Sequence, residues 1–590
     1  MLSASKEKLL SFFNGSSQYV IPFFQRSYVW KVDNWSELWE NIIEEYEEIT
    51  LNDNHKSEHF IGTIIIKQIL SSQVGATEYE LIDGQQRMTT ISLLLKAFHD
   101  ATPEASAKSW INKFLTFEDS YGIEKIRIQH SKVDSEYFQL IIQNKNNNEE
   151  LWNNYKSLKL EELEKKLESE NRIVGGYIYY RHKIENQCNL HDVRKYINVV
   201  IEKLPVIHMA LNADDDVQQI FDTINSLGVK LTTAELLKNF LFSEQKLRDY
   251  YGLYWQSVFE ADEDAIDFWN QEKTSGRIRR TTVELFLYSY LVIKKEANVK
   301  LDTLFKEFKN YLKDKSSEEK IAFAKDINEY ARVYEEMPDG ENLAEISFDQ
   351  HEKRFFHVIR EFDVNTIFPL ILMIYKEVTN LEERTKILRV LESYISRRTI
   401  CKLTTKNYNN LFISILSDVK KMKEITADNI LTKLNGFSDV TNKFPSDVEF
   451  KDAFFNRSLI NKYSREVLYC IALYELNHVF VDNRKLNFSG FSVEHMMPKN
   501  WNKNWKTLPD GITKEIRSNR LLTLGNLTLL QGRLNSSLRD SSWNNKRIKL
   551  KDYSTLKQTT QYLVIDDWNE FEINTRSENL FKIAEQIWKK

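Results

Sequence analysis

The chain has 590 residues, 42% of them hydrophobic and 28% charged, with a formal net charge of −5. That balance excludes a disordered or fibrous chain, and the length predicts two to four domains with 16 Gly and 8 Pro favouring helix over long loops. The three scattered cysteines, Cys188, Cys401 and Cys470, form no CxxC pair and exclude a disulfide framework, which fits a reducing cytoplasm. Met1–Asn14 reads as an amphipathic helix carrying Lys6 and Lys8, not as a secretion signal. Apolar stretches such as Ile367–Tyr375 are too short to span a bilayer, so no membrane partner is expected.

Gln18–Phe23 reads as a strand, and Phe24-Gln25-Arg26-Ser27-Tyr28-Val29-Trp30 then mixes aromatics with a cation. Asp33 or Asn34 is suited to cap a helix with Trp35, Leu38, Trp39, Ile42, Ile43 and Tyr46 on one face. Phe60–Ile66 and Tyr79–Ile82 are strand-like, and the second runs directly into Asp83-Gly84-Gln85-Gln86-Arg87 and a helix through Phe98. A strand, a glycine turn and a helix with a leading Arg make a phosphate-holding geometry. Main-chain N–H groups at a helix start favour anions, and Arg87 adds a two-pronged donor. Asp83 is suited to hold a cation or to orient the turn. Taken alone the signal is weak, because many such turns carry Gly and Arg for structural reasons, and no Walker A loop occurs.

Leu204–Leu211 is a further strand, Asp214–Ser226 a helix, and Gly228 a helix end. Thr232 or Thr233 with Glu235 predicts a cap on a helix to Phe242, whose Lys238 and Asn239 either approach the phosphate turn or face solvent. Residues 243–447 are helical by pattern, with Val283, Leu287, Tyr290 and Leu291 at a 3.6 period. Gly276–Arg280 and Arg397-Arg398 are basic groups open to either phosphate or solvent.

The last segment, 448–590, carries the chemistry. Leu459–Asn477 reads as one helix, followed by Val493-Glu494-His495-Met496-Met497-Pro498, then Leu524-Gly525-Asn526-Leu527-Thr528-Leu529-Leu530, Asn535, and a helix with Trp543, Lys546, Arg547 and Lys549. Tyr562–Lys590 reads as a closing strand and helix. Phosphodiester hydrolysis needs an in-line water, a base to take its proton, and a cation on the phosphate. His495 suits the base, since an unperturbed imidazole titrates at about 6.5. Glu494 and Asn535 offer hard oxygens to Mg2+ or Mn2+, and Asn526 would hold the His495 ring through a main-chain or amide contact. From Phe491 to Thr560 there are thirteen Lys and Arg against five Asp and Glu, a local basic excess inside an acidic chain. Lys546 and Arg547 are expected at the DNA backbone, where contacts position the strand without reading it.

Glu494-His495-x-x-Pro498 with Asn526-Leu-x-Leu-Leu-x4-Asn535 resembles the two halves of the HNH motif, and implies a ββα-metal nuclease core. The cysteine pair common in that motif is replaced here by Gln531 and Leu534, so no structural zinc is expected. Phe24-Gln25-Arg26-x-Tyr28-x-Trp30, Phe60-Ile61-Gly62-Thr63, Ile82-Asp83-Gly84-Gln85-Gln86-Arg87, and Phe221-x3-Asn225-x2-Gly228-x2-Leu231 before Leu237-Lys238-Asn239 resemble the N-terminal domain of GmrSD-type (type IV) restriction endonucleases. The resemblance implies a multidomain α+β protein: a ParB/sulfiredoxin-like domain over 1–242, a helical middle over 243–447 and an HNH domain over 448–590. It implies NTP binding and hydrolysis at Arg26, Asp83, Gly84, Gln85, Gln86 and Arg87, with Arg26 and Tyr28 alternatively at DNA and Tyr28 alternatively in the core. The implied activity is metal-dependent cleavage of double-stranded, modified phage DNA in the cytoplasm, and a homo-oligomer is compatible with it. The rival readings are a modification sensor with an inactive nuclease domain and an RNA-directed nuclease.

Overall fold

The computed structural model describes residues 4–22, 25, 27–51, 58–69, 77–130, 132–144, 148–211, 232–242, 244–275, 278–338, 345–479, 484–532 and 540–590. Arg26, Asn535, the helix expected over Asp214–Ser226 and the cap expected at Gly228 lie outside them. The chain divides into two compact units, Met1–Gln245 and Lys246–Lys590, each α+β. Among the described residues, no helix is long and apolar enough to cross a membrane.

The first unit is built on a mixed six-stranded sheet. Its leading elements are β1 (Ala4–Glu7), β2 (Ser17–Val20), helix α1 (Val32–Leu51), β3 (Thr63–Gln68), β4 (Thr77–Asp83) and helix α2 (Gln85–Ala101). Across the sheet the order is β1, Val206–Leu211, β3, β4, β2 and Ile128–Gln129. The expected N-terminal helix is therefore corrected. Ala4–Glu7 pairs antiparallel with Val206–Met209, and the free edge of that strand overrides the local helical pattern, as sheet context commonly does. The helix with the Trp35, Leu38, Trp39 and Ile42 face is present, and these four are buried. It starts at Val32, and Asn34 accepts the main-chain N–H of Lys31 at 3.2 Å. Helix α2 is enclosed almost all round. It packs on Arg172–Gln187, where Gly176 lets the Trp35 ring come within 3.3 Å of where a Cβ would stand. The expected cap at Thr232 is also present: Thr232 Oγ1 accepts the Glu235 N–H and Glu235 accepts the Thr232 N–H. Lys238 and Asn239 on that helix are buried, not facing solvent.

In the second unit the helical middle and the C-terminal segment pack together. The helix Leu381–Ile400 joins them through buried polar groups. Glu392 pairs with Arg354 at 3.1 Å and accepts the Trp588 indole N–H at 3.2 Å. Arg397 donates to the carbonyl of Trp588 at 2.7 Å, and Arg398 to those of Lys443, Thr404 and Thr441. Both arginines are fully buried. They close helix ends and loops, and neither faces DNA or solvent.

The hairpin Phe491–His495 and Leu527–Gln531 rests on the helix Asn461–Tyr474, which continues as a wider turn over Glu475–Val479. The expected closing strand is absent among the described residues; Tyr562, Leu563 and Trp568 instead fill an apolar cluster ahead of the helix Glu570–Ile587. Burial raises the Glu475 carboxyl to about 7, against the opposing pull of the Arg576 cation. Its folded pKa thus exceeds its unfolded value of about 4.3, so the folded state binds the extra proton between those limits and stability falls as pH rises through that window. Glu475→Gln is expected to flatten that decline; chemical denaturation at pH 5 and pH 8 measures it, and an unchanged slope would count against the assignment.

Candidate active site

The hairpin register sets His495 opposite Leu527 and Glu494 opposite Thr528. His495 ends its strand half-buried, and no described residue hydrogen-bonds its ring. Burial, reinforced by the cations of Lys499 and Lys546, pulls the imidazole down to about 4, so it is neutral at pH 7. A neutral ring with neither nitrogen hydrogen-bonded to a described residue can accept a proton.

Asn526 does not touch that ring. It is fully buried, and its amide clamps the turn that follows His495. Its Oδ1 accepts the Met497 N–H at 2.8 Å and the Trp568 indole N–H at 3.1 Å, while its Nδ2 donates to the carbonyls of Met497 at 2.8 Å and Leu521 at 3.0 Å. Its own carbonyl accepts the Met496 N–H at 2.8 Å. The contact expected with the His495 ring is not the one observed: Asn526 bonds the main chain of Met496 and Met497 instead, which makes it a positioning residue. Gly525 precedes it because nothing larger fits: a Cβ there would stand 2.4 Å from the Ile573 carbonyl and 2.1 Å from Ser577 Oγ. Arg576 completes the support from below, donating to the carbonyls of Leu524, Gly525 and Leu527. Neither Arg576 nor Trp568 stood out in the sequence, since each acts from a helix or turn some 40 to 50 residues downstream.

Lys546 is corrected. Its side chain is fully buried, with Nζ 2.9 Å from Glu494 Oε1 and donating to the His495 carbonyl at 2.6 Å. The Glu494 carboxylate and the His495 carbonyl compensate the burial of the ammonium, so it can neutralise Glu494 and tether the main chain at His495 but cannot lie on a DNA backbone. Arg547 is half-buried and donates to the Ile565 carbonyl at 2.9 Å and to Asp566 at 3.1 Å. Among the described residues the exposed cations of this segment are Lys499, Lys503, Lys506, Lys514, Lys549, Lys551 and Lys557.

Of the two expected ligands for a divalent ion, Glu494 is described and Asn535 is outside the described residues. No group of three His, Cys, Asp or Glu that could hold a metal occurs among the described residues. Donor chemistry fits a hard cation in kind, one carboxylate beside an unengaged imidazole, with Lys546 already on one carboxylate oxygen.

The second expected site is the turn after β4. Gly84 adopts φ +94 as the N-cap of α2, and a Cβ there would meet Ile64 Cγ1 at 2.9 Å and the Thr63 carbonyl at 3.0 Å. Gly84→Ala is expected to destabilise the first unit by about 1–3 kcal/mol, read as an earlier thermal transition; unchanged melting would count against the left-handed turn. Arg87 lies half-exposed across Gly62, where a Cβ would stand 2.6 Å from its guanidinium, and donates to the Thr63 carbonyl at 3.1 Å. Asp83 is half-exposed at the end of β4. Gln85 and Gln86 are buried. Gln86 has its amide committed: Oε1 accepts the Val29 N–H at 2.9 Å and Nε2 donates to the Ser27 carbonyl at 3.1 Å. Gln25, not singled out in the sequence, donates to the Ile82 carbonyl at 2.8 Å and so braces the turn. Tyr28 belongs to the core: it is 3% exposed, its hydroxyl pairs with Thr90 at 2.7 Å and accepts the Trp35 indole N–H at 2.8 Å. That burial removes it from any DNA surface.

Comparison with protein families gives two matches. A model described as the GmrSD restriction endonuclease N-terminal domain matches residues 9–242, and one described as the C-terminal domain of GmrSD restriction endonucleases matches residues 444–583. No curated protein matches the chain.

Proposed function

Because the chain belongs to the GmrSD restriction endonuclease family, we propose that it cuts invading, modified double-stranded DNA at the Glu494–His495 hairpin, under control of a nucleoside triphosphate held at the turn after β4. The carrying observation is the neutral, unengaged His495 ring at the end of a strand whose neighbouring residues bear a local basic excess. In this reading His495 takes the proton of the attacking water. Asn526 fixes the turn that presents the ring, and Lys546 holds Glu494 and the His495 main chain in register. The exposed lysines from Lys499 to Lys551 collect the phosphate backbone. Mg2+ or Mn2+, held by Glu494 and Asn535, would supply Lewis-acid polarisation of the scissile phosphate. At the other site the N–H groups opening α2 and the Arg87 guanidinium would take the triphosphate, with Arg26 and Asp83 beside them. The cytoplasm is the compartment this reading requires.

The test is cleavage of plasmid and of phage DNA with modified bases, with Mg2+ or Mn2+ and each NTP in turn. Arg87→Ala is expected to weaken NTP binding and uncouple cutting from the nucleotide; NTP-independent cutting by both proteins would overturn the control step. A second reading, a sensor with a silent nuclease hairpin, draws on the Lys546 ammonium seated on Glu494. It predicts tight DNA binding without cleavage under every metal.

A further inference from the structure

Within the second unit the helical middle and the helix Asn461–Tyr474 line a half-open cavity of about 640 Å³, to which no residue of the nuclease hairpin contributes. Cavities of roughly 300–1,000 Å³ are the usual size for small-molecule sites. One side is apolar and aromatic, with Leu285, Tyr288, Val299, Leu301, Phe356 and Phe368. The other is polar, with Arg360, Glu361, Asn365, Thr366, Asn409 and Arg465.

Three of those polar residues carry a buried atom without a hydrogen-bond partner: Glu361 Oε2, Arg465 Nε and Thr366 Oγ1. The nearest cations to the Glu361 carboxylate stand back from it, Arg360 at 3.4 Å and Arg465 at 3.5 Å, beyond good hydrogen-bond length for a charged pair. Arg465 instead stacks its guanidinium 4.0 Å over the Phe488 ring. A buried polar atom left unpaired costs about 1–3 kcal/mol, so three around one cavity mark an incomplete network. What would complete it is a group with an N–H donor for the carboxylate beside an acceptor for the guanidinium. Lys462 already pairs with Asp363 at 2.9 Å, yet Lys273, Arg360, Lys462 and Arg465 together outnumber Glu361 and Asp363 around the cavity, and that net positive charge favours an anion. A flat ring for the aromatic wall, a donor edge next to an acceptor edge, and a negative charge together describe a nucleotide.

We propose that this cavity is a mononucleotide-binding site, with the base edge on Glu361 and Arg465, the ring against Tyr288 and Phe356, and the phosphate toward the Arg360 and Lys462 side. It is separate from the triphosphate turn, so its failure and the failure of that reading can be told apart.

The experiment titrates the full chain by calorimetry and ligand-observed NMR with the four nucleoside 5′-monophosphates, their nucleosides, inorganic phosphate and a short single-stranded oligonucleotide. At least one monophosphate is expected to bind one to one, at least tenfold more weakly to Glu361→Gln and Thr366→Val, and not at all to Leu301→Trp, which fills the cavity from its half-exposed rim. In an Arg87→Ala background, which disables the triphosphate turn, the same losses with Glu361→Gln and Leu301→Trp are expected. Competition by the oligonucleotide would assign the base to a nucleic-acid strand; its absence, to a free nucleotide. No saturable binding to the cooperatively melting wild type would mean that water alone fills the cavity and would overturn the site. Binding lost in Arg87→Ala but kept in folded Leu301→Trp would overturn it equally.

Discussion

His495→Ala is expected to reduce DNA cleavage by about 10²–10⁴-fold, the usual contribution of a general base, while leaving the melting curve of the second unit unchanged. The reason for the split lies in the ring's surroundings. No described residue hydrogen-bonds the imidazole, so truncating it removes no structural bond, and its half-exposed position leaves no sealed cavity. Glu494→Ala should behave differently. It strands the fully buried Lys546 ammonium without its carboxylate partner, and breaking a buried pair costs about 3–5 kcal/mol, so that variant should lose cleavage and stability together. Equal cutting by His495→Ala and wild type would sink the assignment of the base.

The largest effect on stability is expected from Arg576→Met. The guanidinium is fully buried and donates to four main-chain carbonyls, those of Gln558, Leu524, Gly525 and Leu527. Burial pulls it down to about 10, so the fold carries a large desolvation cost that these bonds, with the nearby Tyr562 and Glu475, offset. Methionine matches the stem but removes a donor from all four acceptors, of which Leu524 keeps the Leu527 N–H. At about 1–3 kcal/mol for each buried unpaired group, and with partial relaxation, a loss of roughly 3–5 kcal/mol is expected. Urea denaturation of the full chain measures it. A midpoint unchanged from wild type would show that water replaces the guanidinium and that the Leu524–Asn526 turn does not depend on it.

Amino-acid order by itself determined those parts whose physics is local. The Trp35 helix face, the Thr232–Glu235 cap, the strand–glycine–helix passage at Gly84 and the Phe491–His495 and Leu527–Gln531 strands all follow from periodicity, capping and turn chemistry. So did the family, because several short motifs stand in order along the chain. What only the tertiary structure decided is where each long polar side chain ends up. Lys546 looked like a backbone-binding cation and is a buried counter-ion; Arg397 and Arg398 looked exposed and hold loop carbonyls; Tyr28 was open to DNA or to the core and is a core phenol. Nothing within a few residues of any of them specifies its partner. Met1–Asn14 failed as a helix for the same reason, since the edge it pairs with lies about 200 residues away. Charge and periodicity report what a residue is and which side of its element it occupies, but an arginine or lysine reaches far enough that burial or exposure is settled by segments distant in the chain.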